Sequence, residues 1–190
     1  MSLKNLMQSI LGTTKLPKAT LDKIFSITTA RMTLEAEYNL KPAIRAAVSF
    51  KPIESSQFES ARKEIEELLT YSSHDTGSSF RIEVDELRYI WVILEDPDFE
   101  DLVTGIHMVS QTMIDRGYGA YLLCAVFRFE SEHPVYWIYN FKKGLFYPFI
   151  PTGGKNRDNA GEIRLRTQME RELPIEKDIG MWYPLWGIPL

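Results

Sequence analysis

The sequence predicts an α+β fold, a two-layer sandwich in which a mostly antiparallel sheet carries helices packed on one face. Segments with strand-like apolar patterning alternate with segments of helical period, and the last three strand-like segments follow in close succession, which indicates an antiparallel meander. The 190 residues, 44% hydrophobic and 25% charged, suit one ordinary globular domain with a sizeable core. A short helix is expected before this domain and an extended aromatic tail after it.

A short amphipathic helix is predicted at the start of the chain, where apolar residues recur at i, i+3, i+4, i+7 and i+8. Gly12 would end it, and a linker with Pro17 follows. We therefore divide the chain into an N-terminal segment and linker, 1–15, and a single α+β domain, 16–190. The helix can dock on the domain, bind a partner, or make a peripheral membrane contact through residues 1–11. The pattern is carried by Leu3, Leu6, Met7, Ile10 and Leu11.

The first half of the domain is expected to alternate helices and strands. Thr20 is a candidate cap for a helix through Phe25, and 46–50 follows as a strand. Ser56 and Glu59 fit a capping box at the start of the next helix, which a polar loop over 72–79 should follow. Strands are then predicted over 80–84, with one face in water, and over 89–94, nearer the centre of the sheet because both its faces are apolar.

The second half begins with a long helix that Asp98 can cap and that Gly117 can end as its C′ residue. Three strands follow, over 121–129, 135–141 and 145–150. The last should lie at an edge or be short, since Pro148 cannot donate a hydrogen bond to a neighbouring strand. Asp158 or Asn159 can cap a final helix through Leu173, with Ile163, Met169 and Leu173 facing inward.

Composition excludes several classes of function. The formal net charge of −4 argues against nucleic-acid binding, which usually needs a basic face. Three scattered histidines and one cysteine, Cys124, argue against a metal site, and no cofactor motif is present. Cys124 lies in an apolar stretch and is expected to be a core thiol. The acidic residues of 95–101 lie where a strand meets a helix start, and the helix dipole favours acids there.

Two segments remain as candidate sites. The stretch 151–159 joins a glycine pair to basic residues at a helix start, where free N–H groups can hold an anion or phosphate. An ordinary turn explains the same residues. A protein-docking loop is a third alternative. Its candidate ligand-binding residues are Thr152, Gly153, Gly154, Lys155, Arg157, Asp158 and Asn159.

The tail 181–190 is the second candidate and holds two of the four tryptophans. It would be an interface if it is exposed to solvent, or it would pack on the domain's own sheet. Its candidate partner-binding residues are Trp182, Tyr183 and Trp186.

Several long motifs resemble one known family, the PspA-associated protein PspAB family. They include F-Y-P-F-I-P-T-G-G over 146–154, R-D-N over 157–159, E-L-P-I-E over 172–176 and W-Y-P-L-W-G over 182–187. Earlier matches at 16–25, 33–36 and 116–118 fall in the same order. The resemblance therefore runs from about residue 16 to residue 187, and the segment before it matches only in general character.

The resemblance implies an accessory protein of the phage-shock, or envelope-stress, response that associates with PspA. A cytoplasmic location, with the protein peripheral at the inner face of the membrane, is expected. No catalytic residue is carried over from the family, and the residues themselves offer no catalytic set. We therefore favour a non-enzymatic adaptor that binds a PspA-like coiled-coil protein over the alternative, a small anion- or phosphate-binding domain or an enzyme that uses the loop from Thr152 to Asn159. The oligomeric state is left open.

Overall fold

The computed structural model describes residues 21–53 and 56–190, with side chains described at all of these except 56–57 and 72–76. The amphipathic segment predicted over residues 1–15 and the proposed cap Thr20 lie outside the described residues. The α-helices are α1 (Ser26–Tyr38), α2 (Ser56–Thr76), α3 (Phe99–Asp115) and α4 (Asn159–Met169). The strands are β1 (Lys41–Phe50), β2 (Ser79–Val84), β3 (Ile90–Glu95), β4 (Leu122–Glu130), β5 (Val135–Asn140), β6 (Leu145–Phe149), β7 (Pro151–Gly153) and β8 (Asn156–Arg157).

Six strands form one antiparallel sheet in the order β2-β3-β1-β4-β5-β6. The α+β prediction is confirmed, and so is the meander of β4, β5 and β6. Pro148 lies on β6 at the edge of this sheet, as expected of a residue that lacks an N–H. The other side of β6 is partly covered, because Phe146 exchanges backbone hydrogen bonds with Pro174 and Glu176.

Alternation along the strands assigns the two faces of the sheet. Phe99 of α3 makes edge contacts with Phe127 and Phe129 of β4, at 5.5–5.9 Å between ring centroids, so these β4 side chains lie on the helix-covered face. Cys124, Val126 and Arg128 alternate with them and lie on the opposite face, which we call the outer face. The register then places Trp91 of β3, and Tyr147 and Phe149 of β6, on the outer face as well.

The caps of α3 are confirmed. Asp98 Oδ1 accepts a hydrogen bond from the Glu100 N–H at 2.8 Å, and Gly117 follows the helix with φ of 85°. The inward side of the helix is apolar: Leu102, Ile106, Val109 and Met113 are all buried. No helix within the described residues is both long enough and apolar enough to cross a membrane.

Three helix boundaries differ from the prediction. The first helical region continues to Tyr38, because Ile27, Ala30 and Leu34 bury one narrow side of an otherwise polar, threonine-rich segment. The predicted loop over 72–79 is wrong for its first half, since α2 continues to Thr76, where Gly77 adopts φ of 75° and ends the helix.

The last helix, α4, ends at Met169 rather than at Leu173. Asp158 is its cap, but Ile163 is 43% exposed, so the prediction that this residue faces inward is wrong. Polar residues fill most of α4, and its buried positions, Gly161, Glu162, Leu165 and Met169, follow a stripe that Ile163 does not share.

Candidate functional site

The C-terminal tail begins with a 3₁₀ turn, Ile179–Met181, so that in the structure it comprises residues 179–190. It crosses the outer face of the sheet. The Trp182 ring stacks on Tyr147 of β6 with 6.4 Å between centroids and 18° between planes, and the Trp182 Nε1–H donates to the Glu176 carbonyl at 3.0 Å. Trp186 makes an edge contact with Phe149 at 5.1 Å. The tail therefore begins as part of the domain's own packing above β6.

Side chains of the sheet also hold the backbone of the tail along its length. The Tyr147 hydroxyl donates to the Tyr183 carbonyl at 3.0 Å. Further on, Arg128 of β4 donates to the Leu190 main-chain oxygen at 2.8 Å, and Arg81 of β2 donates to the Pro189 carbonyl at 2.9 Å. These contacts span the sheet from β6 to β2, so the tail is a strap across the whole outer face.

The three candidate partner-binding residues have different environments. Trp182 is 3% exposed and belongs to the core, whereas Tyr183 is 53% exposed on the solvent side of the tail. Trp186 is half-buried against the sheet. Ile179, 47% exposed, lies on the same segment as Tyr183, and the Tyr183 hydroxyl lies 3.6 Å from Met181 Sδ. Ile179 and Tyr183, with a part of Trp186, therefore contribute exposed apolar surface on the tail.

The candidate anion loop is a small hairpin formed by β7 and β8. Gly153 and Gly154 form its turn with φ of 107° and 57°, conformations that glycine adopts at low cost. The exposed residues of the loop include Thr152, Lys155 and Asn159, while Asp158 Oδ1 accepts from the Gly161 N–H at 2.9 Å as the cap of α4. The glycines and the cap therefore have a structural role as a strand-to-helix turn.

Arg157 is the residue of this loop whose charge is already paired. Its Nε lies 2.9 Å from both carboxylate oxygens of Glu162 and its Nη2 lies 2.7 Å from Oε2, while the Glu162 side chain is 2% exposed. Glu162 Oε1 also accepts the Ile150 N–H at 2.8 Å. A free anion at Arg157 would have to compete with this buried carboxylate.

Arg157 also joins the two candidate sites that the sequence presents as separate. Its Nη1 donates to the Trp182 carbonyl at 2.9 Å, and its guanidinium lies 5.0 Å from the centre of the Phe149 ring. The hairpin, α4 and the start of the tail therefore meet at one side chain. The spacing of 25 residues between Arg157 and Trp182 gave no signal of this contact.

The sequence also gave no signal of a cavity of about 310 Å³ between the tail and the outer face. Cys124 lies at its wall and is 7% exposed, which confirms the prediction of a core thiol. Burial raises the pKa of this thiol to about 12, so it is neutral at physiological pH. The lining residues are Ser49, Tyr89, Trp91, Leu123, Cys124, Asn140, Lys142, Tyr147, Tyr183 and Leu185.

A second, smaller cavity of about 70 Å³ lies beside the acidic residues that precede α3. Asp96, 2% exposed, accepts hydrogen bonds from the Ser78 hydroxyl and, at 2.7 Å, from the Asp98 N–H. Burial, and then repulsion from neighbouring acids, raises the pKa of Asp101. Within the described part of the chain, no three His, Cys, Asp or Glu side chains are grouped so that they could hold a metal ion.

Comparison with known proteins gives one match, to a family model. No curated protein and no solved structure matches it. A family model described as PspAB, PspA associated protein B, matches residues 4–190, nearly the whole chain. This match extends the resemblance seen in the motifs in both directions, and it includes the hairpin, Arg157 and the tail. The chain therefore belongs to the PspAB family.

Proposed function

We propose that this protein is a non-enzymatic adaptor that binds a PspA-like coiled-coil protein. The observation that carries the proposal is the match of residues 4–190 to a family described as PspA associated. The proposed setting is the cytoplasm, where such an adaptor would act on the envelope-stress response. The structure adds a candidate contact surface.

The candidate surface is the solvent side of the tail, formed by Ile179, Met181, Tyr183 and the exposed part of Trp186. Its backbone is held by Tyr147 and Arg157, so the exposed side chains are presented on an ordered segment. Binding through an ordered segment loses less conformational entropy than binding through a free one. Aromatic side chains are also the most frequent hot spots of interfaces. A coiled-coil partner would offer apolar side chains at i, i+3, i+4 and i+7 along a helix.

The proposal is tested by titrating the purified chain with its PspA partner in calorimetry and by co-elution in size exclusion. Tyr183→Ser should weaken the complex by about tenfold or more, since hot-spot truncations usually cost above 1 kcal/mol. Tyr71→Ser is the matched control, because Tyr71 is 75% exposed but lies on α2. It should leave the affinity unchanged.

Two outcomes contradict the proposal at different levels. No complex with the unaltered chain over a wide range of salt and concentration would reject the adaptor function. A complex that Tyr183→Ser leaves intact would reject the tail as the surface while keeping the association.

The peripheral membrane contact through residues 1–11 is a separate part of the proposal. It rests on the apolar stripe of that segment, which lies outside the described residues. Flotation with anionic liposomes should be lost when Leu6 and Ile10 are both replaced by glutamate. Equal flotation of the two proteins would remove this contact from the proposal.

A further inference from the structure

The cavity between the tail and the outer face has the size and lining of a small-molecule site. Its volume is about 310 Å³, within the range of about 300–1,000 Å³ that is usual for ligand pockets. Four of its lining residues are aromatic, namely Tyr89, Trp91, Tyr147 and Tyr183. Walls built from flat rings favour a flat apolar occupant, which can stack on them.

Both sides of the cavity are held in place by hydrogen bonds. On the tail side, the Tyr183 carbonyl accepts from the Tyr147 hydroxyl at 3.0 Å. On the sheet side, the Trp91 Nε1–H donates to Asp85 Oδ2 at 2.9 Å. The cavity is therefore formed before any ligand enters, which lowers the entropic cost of binding.

The charges at the cavity wall have one sign. Lys142 is the one lining residue with a side chain that is charged at neutral pH. Burial raises the pKa of both Tyr147 and Cys124, so these two groups stay protonated and neutral. Asn140 Oδ1 already accepts the N–H groups of Lys142 and Lys143, at 3.0 and 3.3 Å, which leaves the amide N–H₂ as the donor end of this side chain.

We propose that this cavity binds a small, flat, apolar molecule with one negative charge, such as an aromatic carboxylate. The rings would enclose its apolar part, while Lys142 and the Asn140 amide would hold the carboxylate at the mouth. Tyr183 belongs both to this cavity and to the candidate contact surface of the tail, whereas Lys142, Asn140 and the rest of the cavity wall lie apart from that surface. The existence of the cavity site does not depend on the proposed adaptor function.

The test uses 2-naphthoate and its neutral counterpart 2-naphthamide, titrated into the full chain by calorimetry. The unaltered protein should bind the carboxylate about tenfold more tightly than the amide, as one charge-assisted hydrogen bond provides. Lys142→Met should remove this preference by lowering the affinity for 2-naphthoate while leaving the affinity for 2-naphthamide unchanged. Lys143→Met is the matched control, since Lys143 instead faces Glu176 at 3.6 Å and does not line the cavity.

A second variant tests the location. Leu185→Trp places a larger side chain at the cavity wall and should lower the affinity for both compounds by at least about tenfold. Its melting temperature, measured in parallel, shows whether the variant is folded. Failure of the unaltered protein to bind either compound, equal affinity for both, or a carboxylate preference that survives Lys142→Met would each overturn the proposal. Binding that a folded Leu185→Trp protein retains would place the ligand elsewhere and would overturn it as well.

Discussion

Arg157 and Glu162 form a fork-shaped ion pair in which the carboxylate is almost fully buried while the guanidinium also reaches the tail. Three N···O distances of 2.7–2.9 Å join the two groups, and the fourth contact of the guanidinium is the Trp182 carbonyl at 2.9 Å. The pair lies at the junction of the β7–β8 hairpin, α4 and the tail. Its main role is to hold these three segments together.

We expect Arg157→Ala to lower the free energy of unfolding by about 3 kcal/mol, since it leaves the Glu162 charge buried without its partner. Arg157→Lys should recover only part of this loss, because an ammonium group cannot form the same fork. Urea denaturation of both variants measures the effect.

Two further variants show whether this loss comes from the pair. In a double-mutant cycle with Glu162→Gln, the double variant should lose less stability than the sum of the two single changes. Lys155→Ala is the control in the same hairpin and, as an exposed change, should alter stability by less than about 0.5 kcal/mol. An Arg157→Ala protein as stable as the unaltered chain would contradict the structural role and restore this side chain as a free anion ligand.

Local patterns were sufficient to predict most of the sheet and the capped helices. The patterns that predict β2 and β3 and the caps at Asp98 and Asp158 depend on neighbouring residues, and the structure contains each of these strands and caps. Burial along β2 does not alternate, however, and Val84 at its end is 64% exposed. Helix extent was less predictable. Only three of the thirteen residues of α1 are buried, so its period is faint in the sequence.

The candidate site depends on contacts between distant residues, which a single sequence does not encode locally. Arg157 and Trp182 lie 25 positions apart, and Arg128 and Leu190 lie 62 apart. The aromatic content of the tail makes it a candidate site in the sequence, where an interface and packing on the sheet are the two alternatives. Its course over the outer face follows from four contacts to main-chain oxygens of the tail, at Trp182, Tyr183, Pro189 and Leu190, that the sequence does not indicate.

Trp182 should be the residue of the tail on which stability depends most. Trp182→Ala removes a buried ring and its hydrogen bond to Glu176, and should cost about 3–5 kcal/mol in the free energy of unfolding. Trp182→Phe keeps the stacking on Tyr147 and should cost less than half as much. Tyr183→Ala, at a side chain that is 53% exposed, should cost less than about 1 kcal/mol. Thermal and urea unfolding distinguish the three; equal effects of the alanine changes at 182 and 183 would contradict the packing of the tail.

The thiol of Cys124 should make stability depend on alkaline pH. Its pKa is about 12 in the folded chain against an ordinary value of 9.0, so above pH 9 the folded state holds the proton more tightly than the unfolded state. Stability contributed by this group is therefore complete below pH 9 and falls as the pH rises toward 12, by about 1.4 kcal/mol at pH 10. Tyrosines titrate in the same range, so the comparison is with Cys124→Ala, whose loss of stability from pH 8 to pH 10 should be smaller by that amount. Parallel pH curves for the two proteins would show that the thiol is not held neutral.

Asp85 should control both the β2–β3 hairpin and the wall of the cavity. Its Oδ1 accepts the N–H groups of Leu87 and Tyr89 at 2.9 and 2.8 Å, and its Oδ2 accepts from Trp91 Nε1. In the sequence Asp85 is only the polar residue that follows the predicted strand over 80–84. The structure makes it the acceptor of three hydrogen bonds just after that strand ends.

Asp85→Ala should therefore destabilise the chain by about 2 kcal/mol, since it removes three hydrogen bonds to one charged group that is partly open to water. It should also lower the affinity for 2-naphthoate more than a general loss of stability can explain. The reason is that the Trp91 indole loses its hydrogen-bond acceptor at the cavity wall. Asp85→Asn keeps one acceptor oxygen, so its stability and its affinity for 2-naphthoate should lie between those of the unaltered chain and Asp85→Ala. Glu86→Ala, at the exposed neighbouring acid, is the control and should change neither quantity. If Asp85→Ala lowers stability but leaves the affinity for 2-naphthoate intact, Trp91 is not a wall of the site at which the compound binds.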